Sequence, residues 1–176
     1  MKPDDPRNVI DEFKNMPMAD IVARLDERGS NVEIAIENTL RDFNMGSIVR
    51  SANAFGVRVV HIVGRRQWNK RGAMMTDKYL HVRYHSDFAA FRQYANEVER
   101  PIIAIDNVAG ASSLAGVKKR ADAILLFGQE GPGLSEEALS AADAVVAIDQ
   151  AGSTRSLNVS VAAGIAMYEW TRKPMR

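Results

Sequence analysis

The chain has 176 residues, 46% of them hydrophobic and 26% charged, with a net charge of +1, which fits one globular domain with a sizeable core. No run approaches the roughly 18 consecutive apolar residues of a membrane span, and the opening MKPDDPRNVIDE lacks the apolar stretch of a signal peptide, so a soluble, cytoplasmic protein is expected. Zero cysteines exclude disulfides, thiolate metal sites and cysteine nucleophiles, and three scattered histidines, His61, His81 and His85, argue against a metal centre, which leaves chemistry to Asp, Glu, Arg, Ser and Asn.

Residues 1–30 are polar and helix-prone: Met18, Ile21, Val22 and Leu25 recur at helical spacing and Gly29 supplies a stop signal. They read as a helical extension on a domain spanning 31–176. From residue 31 onward apolar, strand-like runs (31–38, 57–64, 80–85, 101–106, 123–128 and 144–149) alternate with helical patterns (45–55, 87–98, 135–142 and 158–170). Asn44, Asp87, Ser135 and Asn158 stand where N-caps belong. Continuous apolar strands joined through helices predict an α/β fold, a mostly parallel sheet with helices on both faces.

The stretch 64–85, GRRQWNKRGAMMTDKYLHVRYH, sets Arg65, Arg66, Lys70, Arg71, Lys78 and Arg83 against one acid, Asp77, and interleaves Trp68, Tyr79 and Tyr84. Clustered cations with aromatic side chains suit either a solvated basic loop or a surface that contacts RNA phosphates.

Three further stretches stand at the carboxyl ends of strands. In RDFNMGSIVRSANAFGV (41–57), Asn44 and Arg50 lie six apart, and Gly46, Ser47, Ser51 and Ala52 are small enough for another backbone to come close. In LFGQEGPGLSEEAL (126–139), Gly128, Gly131 and Gly133 surround Glu130. A phosphate-binding loop would need Lys followed by Ser or Thr after its last glycine, and Leu134-Ser135 stands there; the GxGxxG spacing is missing too. An anion in a tight glycine turn repels phosphate and suits a cationic or hydroxyl-bearing partner. In IDQAGSTRSLNVSVAAGIAMYEW (148–170), a loop of small polar residues passes through Ser156, Leu157 and Asn158 into a helix with an apolar face. Each alone reads as a turn or a cap.

Together, N-x-G-x-x-x-R, then GQEGPG, then SLNVSVAAG resemble the three signature motifs of the SpoU/TrmH family of SPOUT RNA methyltransferases, over residues 31 to 170. The resemblance implies a sheet whose C-terminal part is tied in a trefoil knot, an exception to the rule against threaded chains, and a homodimer that completes the site across two chains; the small residues Ala162, Ala163, Gly164 and Ala166 are the expected contact positions, with packing inside the chain as the alternative. It implies S-adenosylmethionine as cofactor, bound by Gly128, Gln129, Glu130, Gly131, Gly133, Ile148, Gln150, Gly152 and Leu157, with Gly152 letting a neighbouring loop cross. It also implies methyl transfer to a ribose 2′-hydroxyl of tRNA or rRNA, tRNA being favoured because the chain has no room for the RNA-binding domain of some rRNA relatives. Arg50, Asn44, Glu130, Ser156 and Asn158 are then the catalytic set, with Arg65, Arg66, Lys70, Arg71 and Lys78 on the RNA together with the tail 171–176. Two roles stay open for Arg50. The family's proposal makes it the base, whereas a guanidinium with a pKa above about 12 is better suited to clamping the adjacent phosphate and stabilising an alkoxide. Many relatives carry proline-methionine where this chain has Asp149-Gln150. A catalytically silent RNA-binding module on the same fold is the alternative reading, and an unrelated nucleotide-binding α/β protein is disfavoured by the missing phosphate-loop lysine.

Overall fold

Every strand pairs in parallel with its neighbours, so each must be reached by a crossover. The computed structural model describes residues 5–38 and 44–172; residues 41–43 at the opening of the first motif and the tail residues 173–176 lie outside the described residues. In chain order the elements are α1 (Met18–Arg28), β1 (Glu33–Asn38), α2 (Asn44–Ala54), β2 (Val59–Gly64), β3 (His81–His85), α3 (Phe88–Glu97), β4 (Ile102–Ile105), β5 (Ser112–Ser113), β6 (Ile124–Phe127), α4 (Glu136–Ala141), β7 (Ala144–Ala147) and α5 (Val159–Thr171). The sheet runs β3-β2-β1-β6-β4-β7-β5. The expected α/β class is therefore the observed one. β5, two residues paired with Val146 and Ala147, has no apolar run to announce it in the sequence.

Both sheet faces are covered, which is why the strands read as continuous apolar runs. Leu125 and Phe127 of β6 join Ile34, Ile36 and Ile62 in a core closed by α2 and α5 through Met45, Ile48, Ala163, Ala166 and Met167. Ile124 and Leu126 face the other way and pack with Phe88, Phe91 and Ala138 of α3 and α4. The N-terminal extension has its own small cluster, Phe13, Ile21 and Tyr79, and α1 ends at Gly29 as expected. Asp87, Ser135 and Asn158 accept helix N-terminal amides. Asn44 is the first described residue of α2, and its side chain reaches residues of the other two motifs.

The α3 face carries a buried polar chain. His61, fully buried, bonds through Nε2 to Glu33 Oε2 at 2.8 Å and through Nδ1 to His85 Nε2 at 2.9 Å. An ionised carboxylate only accepts, so His61 donates from Nε2, its Nδ1 accepts, and His85 is the Nε2–H tautomer. Around them stand the Tyr94 hydroxyl, 3.4 Å from Glu33 Oε2, the Arg100 guanidinium, 3.5 Å from Glu33 Oε1, and the Arg83 guanidinium over the Tyr94 ring. Burial holds His61 neutral despite the carboxylate beside it. Burial, reinforced by His61 and Arg83, pushes the His85 imidazole down to about 4.

An unfolded imidazole protonates near 6.5, so as pH falls from about 6.5 through about 4 the unfolded chain binds the extra proton first. The contribution of His85 is complete above 6.5 and is lost on the way down. Thermal unfolding followed from about pH 7 to about pH 4 should show a shallower decline of Tm in His85→Gln than in the parent chain; parallel curves would remove His85 from this account.

Candidate active site

Ligands of open parallel sheets sit beyond the carboxyl ends of the strands, and here the ends of β4, β6 and β7 converge on one concavity. After β6 the chain makes a hairpin: Gln129 and Gly133 each donate an amide to the other's carbonyl at 3.1 Å, leaving Glu130, Gly131 and Pro132 as its tip. The glycines have separate reasons. A Cβ on Gly128 would overlap the carbonyl carbon of Gly133, whereas Gly131 and Gly133 adopt φ of +98° and +72°, a region that L side chains rarely occupy.

Two carboxylates fix where this hairpin returns. Glu37 of β1, 4% exposed, accepts from Ser135 N at 2.8 Å and from Ser135 Oγ at 2.7 Å. Asp106, directly after β4, accepts from Leu134 N at 3.1 Å. Because β6 lies between β1 and β4, the loop is tied on both sides of its own strand.

The tip then meets the other two motifs. Asn44 Nδ2 donates to Glu130 Oε2 at 2.6 Å, and Asn158 Nδ2 donates to Asn44 Oδ1 at 3.0 Å and reaches Glu130 Oε1 at 3.5 Å. Asn158 Oδ1 is held in turn by Ser160 N and Oγ at 3.0 and 2.6 Å, which orients both amides toward the carboxylate. Three of the five expected catalytic residues thus touch one another. Arg50 does not join them: it is exposed on α2 and, among the described residues, its guanidinium has no hydrogen bond to Glu130. Ser156 lines the same concavity without bonding to the three.

The concavity has a volume of about 600 Å³ and is walled by the hairpin and by the loop after β7. Gly128, Gln129, Glu130, Gly131, Gly133, Ile148, Gln150 and Leu157, assigned to the cofactor by the resemblance, line it. Gly152 does not, and a Cβ there would meet nothing within 4 Å; the close approach expected at Gly152 occurs at Gly128, because it is the hairpin that folds back on itself. Asp106 and Asn107 also line the cavity, and the signal that could have found them was the polar pair at the carboxyl end of the fourth apolar run. Asp149 points away, accepting a hydrogen bond from Ser113 Oγ of β5, whereas Gln150 is among the lining residues. Its Oε1 is buried and no donor reaches it among the described residues. A glycine cradle with a lining that mixes Ile148, Leu139 and Leu157 with Asp106, Asn107 and Ser156 fits a nucleoside-like group. A separate cavity of about 480 Å³ beside the N-terminal extension is mainly apolar, with Arg28 as its charged lining residue.

The basic loop stands next to this site. A Cβ on Gly46 would lie 2.7 Å from Ala73 N and 2.8 Å from Gly72 Cα, so the turn Arg71–Ala73 is packed against the first turn of α2, two residues from Asn44. Arg65, Arg66, Lys70, Arg71 and Lys78 are exposed. Arg66 lies over the Tyr84 ring, and Lys70 pairs with Asp77 at 2.8 Å.

The sequence pattern of the SpoU rRNA Methylase family matches residues 31–168. The chain is 29% identical over 160 residues to the tRNA (guanosine(18)-2′-O)-methyltransferase of Thermus thermophilus, a match covering 86% of this chain and 80% of the relative. A TrmH/SpoU tRNA modifying enzyme of A. aeolicus superposes with a TM-score of 0.75 at 24% identity, over 88% of this chain and 82% of that one. An AdoMet-bound rRNA methyltransferase of Sinorhizobium meliloti superposes with a TM-score of 0.73 at 26% identity, over 82% of this chain and 57% of the other.

Glu37→Ala strips the acceptor from both the amide and the hydroxyl of Ser135, at a cost of about 2–4 kcal/mol for the broken buried pair. Urea unfolding should show that loss, with Ser135→Ala the milder of the two because Glu37 then keeps the backbone amide.

Proposed function

The chain belongs to the SpoU rRNA Methylase family, and from that premise we propose that it transfers a methyl group from S-adenosylmethionine to a ribose 2′-hydroxyl of RNA, a tRNA in preference to a ribosomal RNA. The observation that carries the reading is the meeting of Asn44, Glu130 and Asn158, from three distant motifs, at the mouth of the glycine-cradled cavity. The names of the curated relatives support tRNA, and a cytoplasmic site of action goes with that reading. Residues 31–176 form the catalytic domain and 1–30 a helical extension; β6, inserted between β1 and β4, supports a C-terminal trefoil knot. The silent-module reading has no comparable support, since all five expected catalytic residues are present.

The cofactor, when bound, supplies a methyl group already activated on a sulfonium. What the chain must add is position and stabilisation of the negative charge that grows on the 2′-oxygen. Gly128, Gly131 and Gly133 open the wall for the cofactor's nucleoside. Glu130, held by Asn44 and Asn158, presents a fixed carboxylate to the cationic end of the cofactor and to the hydroxyl. Ser156, on the rim, offers a further hydroxyl contact. Arg50 grips the neighbouring phosphate and the 2′-oxygen with its planar fork, and the hydroxyl proton leaves to water. The five loop cations hold the RNA backbone beside α2, with Lys70 contributing least because Asp77 already engages it.

A homodimer belongs to this reading. α5 is largely apolar, with Ser160, Glu169 and Thr171 as its polar residues, and Val161, Ile165 and Tyr168 remain 51%, 37% and 55% exposed, a stripe at helical spacing that a helix of this composition normally covers. Tyr168 meets Phe55, directly after α2, edge-on at 5.9 Å, so the stripe continues to the end of the helix that carries Arg50. The expected contact residues change accordingly: Ala163 and Ala166 are fully buried inside the chain, and the face offered to a second copy is Val161, Ile165 and Tyr168.

Methyl transfer to transcribed tRNA, read by nucleoside mass spectrometry, tests the activity directly, and no 2′-O-methylated nucleoside above background would overturn it. In the same assay Arg50→Ala should lose about 10²–10³ in rate, the usual value of one transition-state donor, while S-adenosylhomocysteine binding by calorimetry stays near that of the parent; Arg50→Lys should recover little. Ile165→Asp should convert the sedimenting species from dimer to monomer, and a parent chain that is monomeric at micromolar concentration would remove the dimer.

A further inference from the structure

We propose that Met74 and Met75 form an apolar wedge that packs against a nucleobase beside the target ribose and holds the RNA strand open for the 2′-hydroxyl to reach Arg50, an inference that rests on the RNA methyltransferase reading above. The two side chains are 56% and 58% exposed, whereas Ala73 before them and Thr76 after them are buried. Both backbones lie in the left-handed region, at φ of +47° and +67°, where an L side chain is strained and glycine or asparagine is the usual occupant. Nothing in the packing asks for methionine here: neither side chain enters the core, and glycine would adopt the same backbone freely. The knuckle is held from both sides. Thr76 Oγ1 donates to the Ala73 carbonyl at 2.7 Å, Lys78 N donates to the Met75 carbonyl at 3.2 Å, and Arg58 Nη2 donates to the Tyr79 carbonyl at 2.6 Å. The flanking turns, Arg71–Ala73 and Thr76–Tyr79, both pack on α2. The first of them meets α2 at Gly46 and Ser47, and Gly46 shares a helix face with Arg50, four residues on. Two apolar tips in a fixed mount thus stand on the side of α2 that carries the group proposed to grip the ribose.

Charge decides what meets these tips. Lys70, Arg71 and Lys78 flank the pair in the chain, and the acid among them, Asp77, is engaged by Lys70. A second copy seated here through its own knuckle would set cations against cations. RNA instead offers phosphates to the cations and base faces to the apolar tips. Methionine suits the face of a base, because its thioether is polarizable and packs well on aromatic rings. Apolar side chains of this kind enter between neighbouring bases and unstack them. A ribose inside a stacked strand is confined by the bases on either side, and a wedge beside it replaces the stacking lost when the strand opens.

The test sets two double variants against transcribed tRNA. Met74→Gly/Met75→Gly keeps the left-handed backbone and removes only the tips, so it should melt no lower than the parent. In single-turnover methyl transfer at saturating tRNA it should be about tenfold slower, roughly the value of two methionine–ring contacts. The salt slope of tRNA binding, which reports the phosphate contacts, and calorimetric binding of S-adenosylhomocysteine should both stay at the parent's values. Met74→Leu/Met75→Leu, which restores apolar tips, should keep most of the parent's rate. 2-Aminopurine placed in the tRNA on each side of the nucleotide that the parent methylates should brighten at one of the two positions when the parent binds, as that base unstacks, and stay dim with the double glycine variant. A double glycine variant that works at the parent's rate overturns the wedge and leaves the activity intact. A loss of rate accompanied by dissociation into monomers, or by weaker S-adenosylhomocysteine binding, also overturns it, because the pair then packs against a second chain or supports the cofactor. A parent chain that methylates no tRNA overturns the RNA methyltransferase reading and the wedge with it.

Discussion

The hairpin at Gly128–Gly133 can close because nothing larger than hydrogen stands at Gly128, and the rest of the site depends on that closure. With the chain doubled back on itself, Leu134 and Ser135 fall within reach of Asp106 and Glu37, the carboxylates at the ends of the two strands flanking β6. Once they are engaged, Glu130 has one place to be. Its carboxylate meets Asn44 and Asn158, which start the two helices packed together on one face of the sheet. A displacement of the hairpin would therefore disturb α2 and α5 through side chains rather than through the core.

The two faces of the sheet carry different burdens. Alternation along the strands puts Ile34 and Ile36 into the apolar core under α2 and α5, and Glu33 and Glu37 of the same strand onto the face of α3 and α4. Glu33 is matched there by His61 and Glu37 by Ser135, so one strand holds both a structural proton chain and an anchor of the candidate active site. On the other face the inner side of α5 is matched by the sheet and α2, while Val161, Ile165 and Tyr168 on its outer side stay exposed apart from the edge contact of Tyr168 with Phe55, which connects the packing of the monomer to the proposed association of two.

The position of the basic loop follows from two glycines. Gly46 and Gly72 come into mutual contact where side chains would collide, bringing Arg71 beside the first turn of α2 and hence beside Asn44. Long-range attraction to phosphate is thereby placed next to the groups proposed to position the ribose. The same contact explains why small residues follow Asn44.

The sequence alone determined the alternation of strands and helices, because parallel strands buried on both faces must be continuously apolar and their crossovers must be amphipathic. It also determined the caps at Asp87, Ser135 and Asn158, and the glycine turn, which depend on neighbours within a few residues. Three distant motifs were legible as a set through their resemblance to a family. Which of their side chains meet was decided by the tertiary structure: Asn44 reads as a cap from its neighbours and becomes a partner of Glu130 only when β1 and β6 lie side by side. The same holds for Glu37 and Asp106, whose roles rest on a residue 98 and 28 positions away, and for Ala163 and Ala166, which look the same in sequence whether they face the core or a second chain. Gly128 and Gly152 are equally permissive as residues; the fold makes only the first a point of close approach, because steric need is a property of what lies opposite and not of the residue itself.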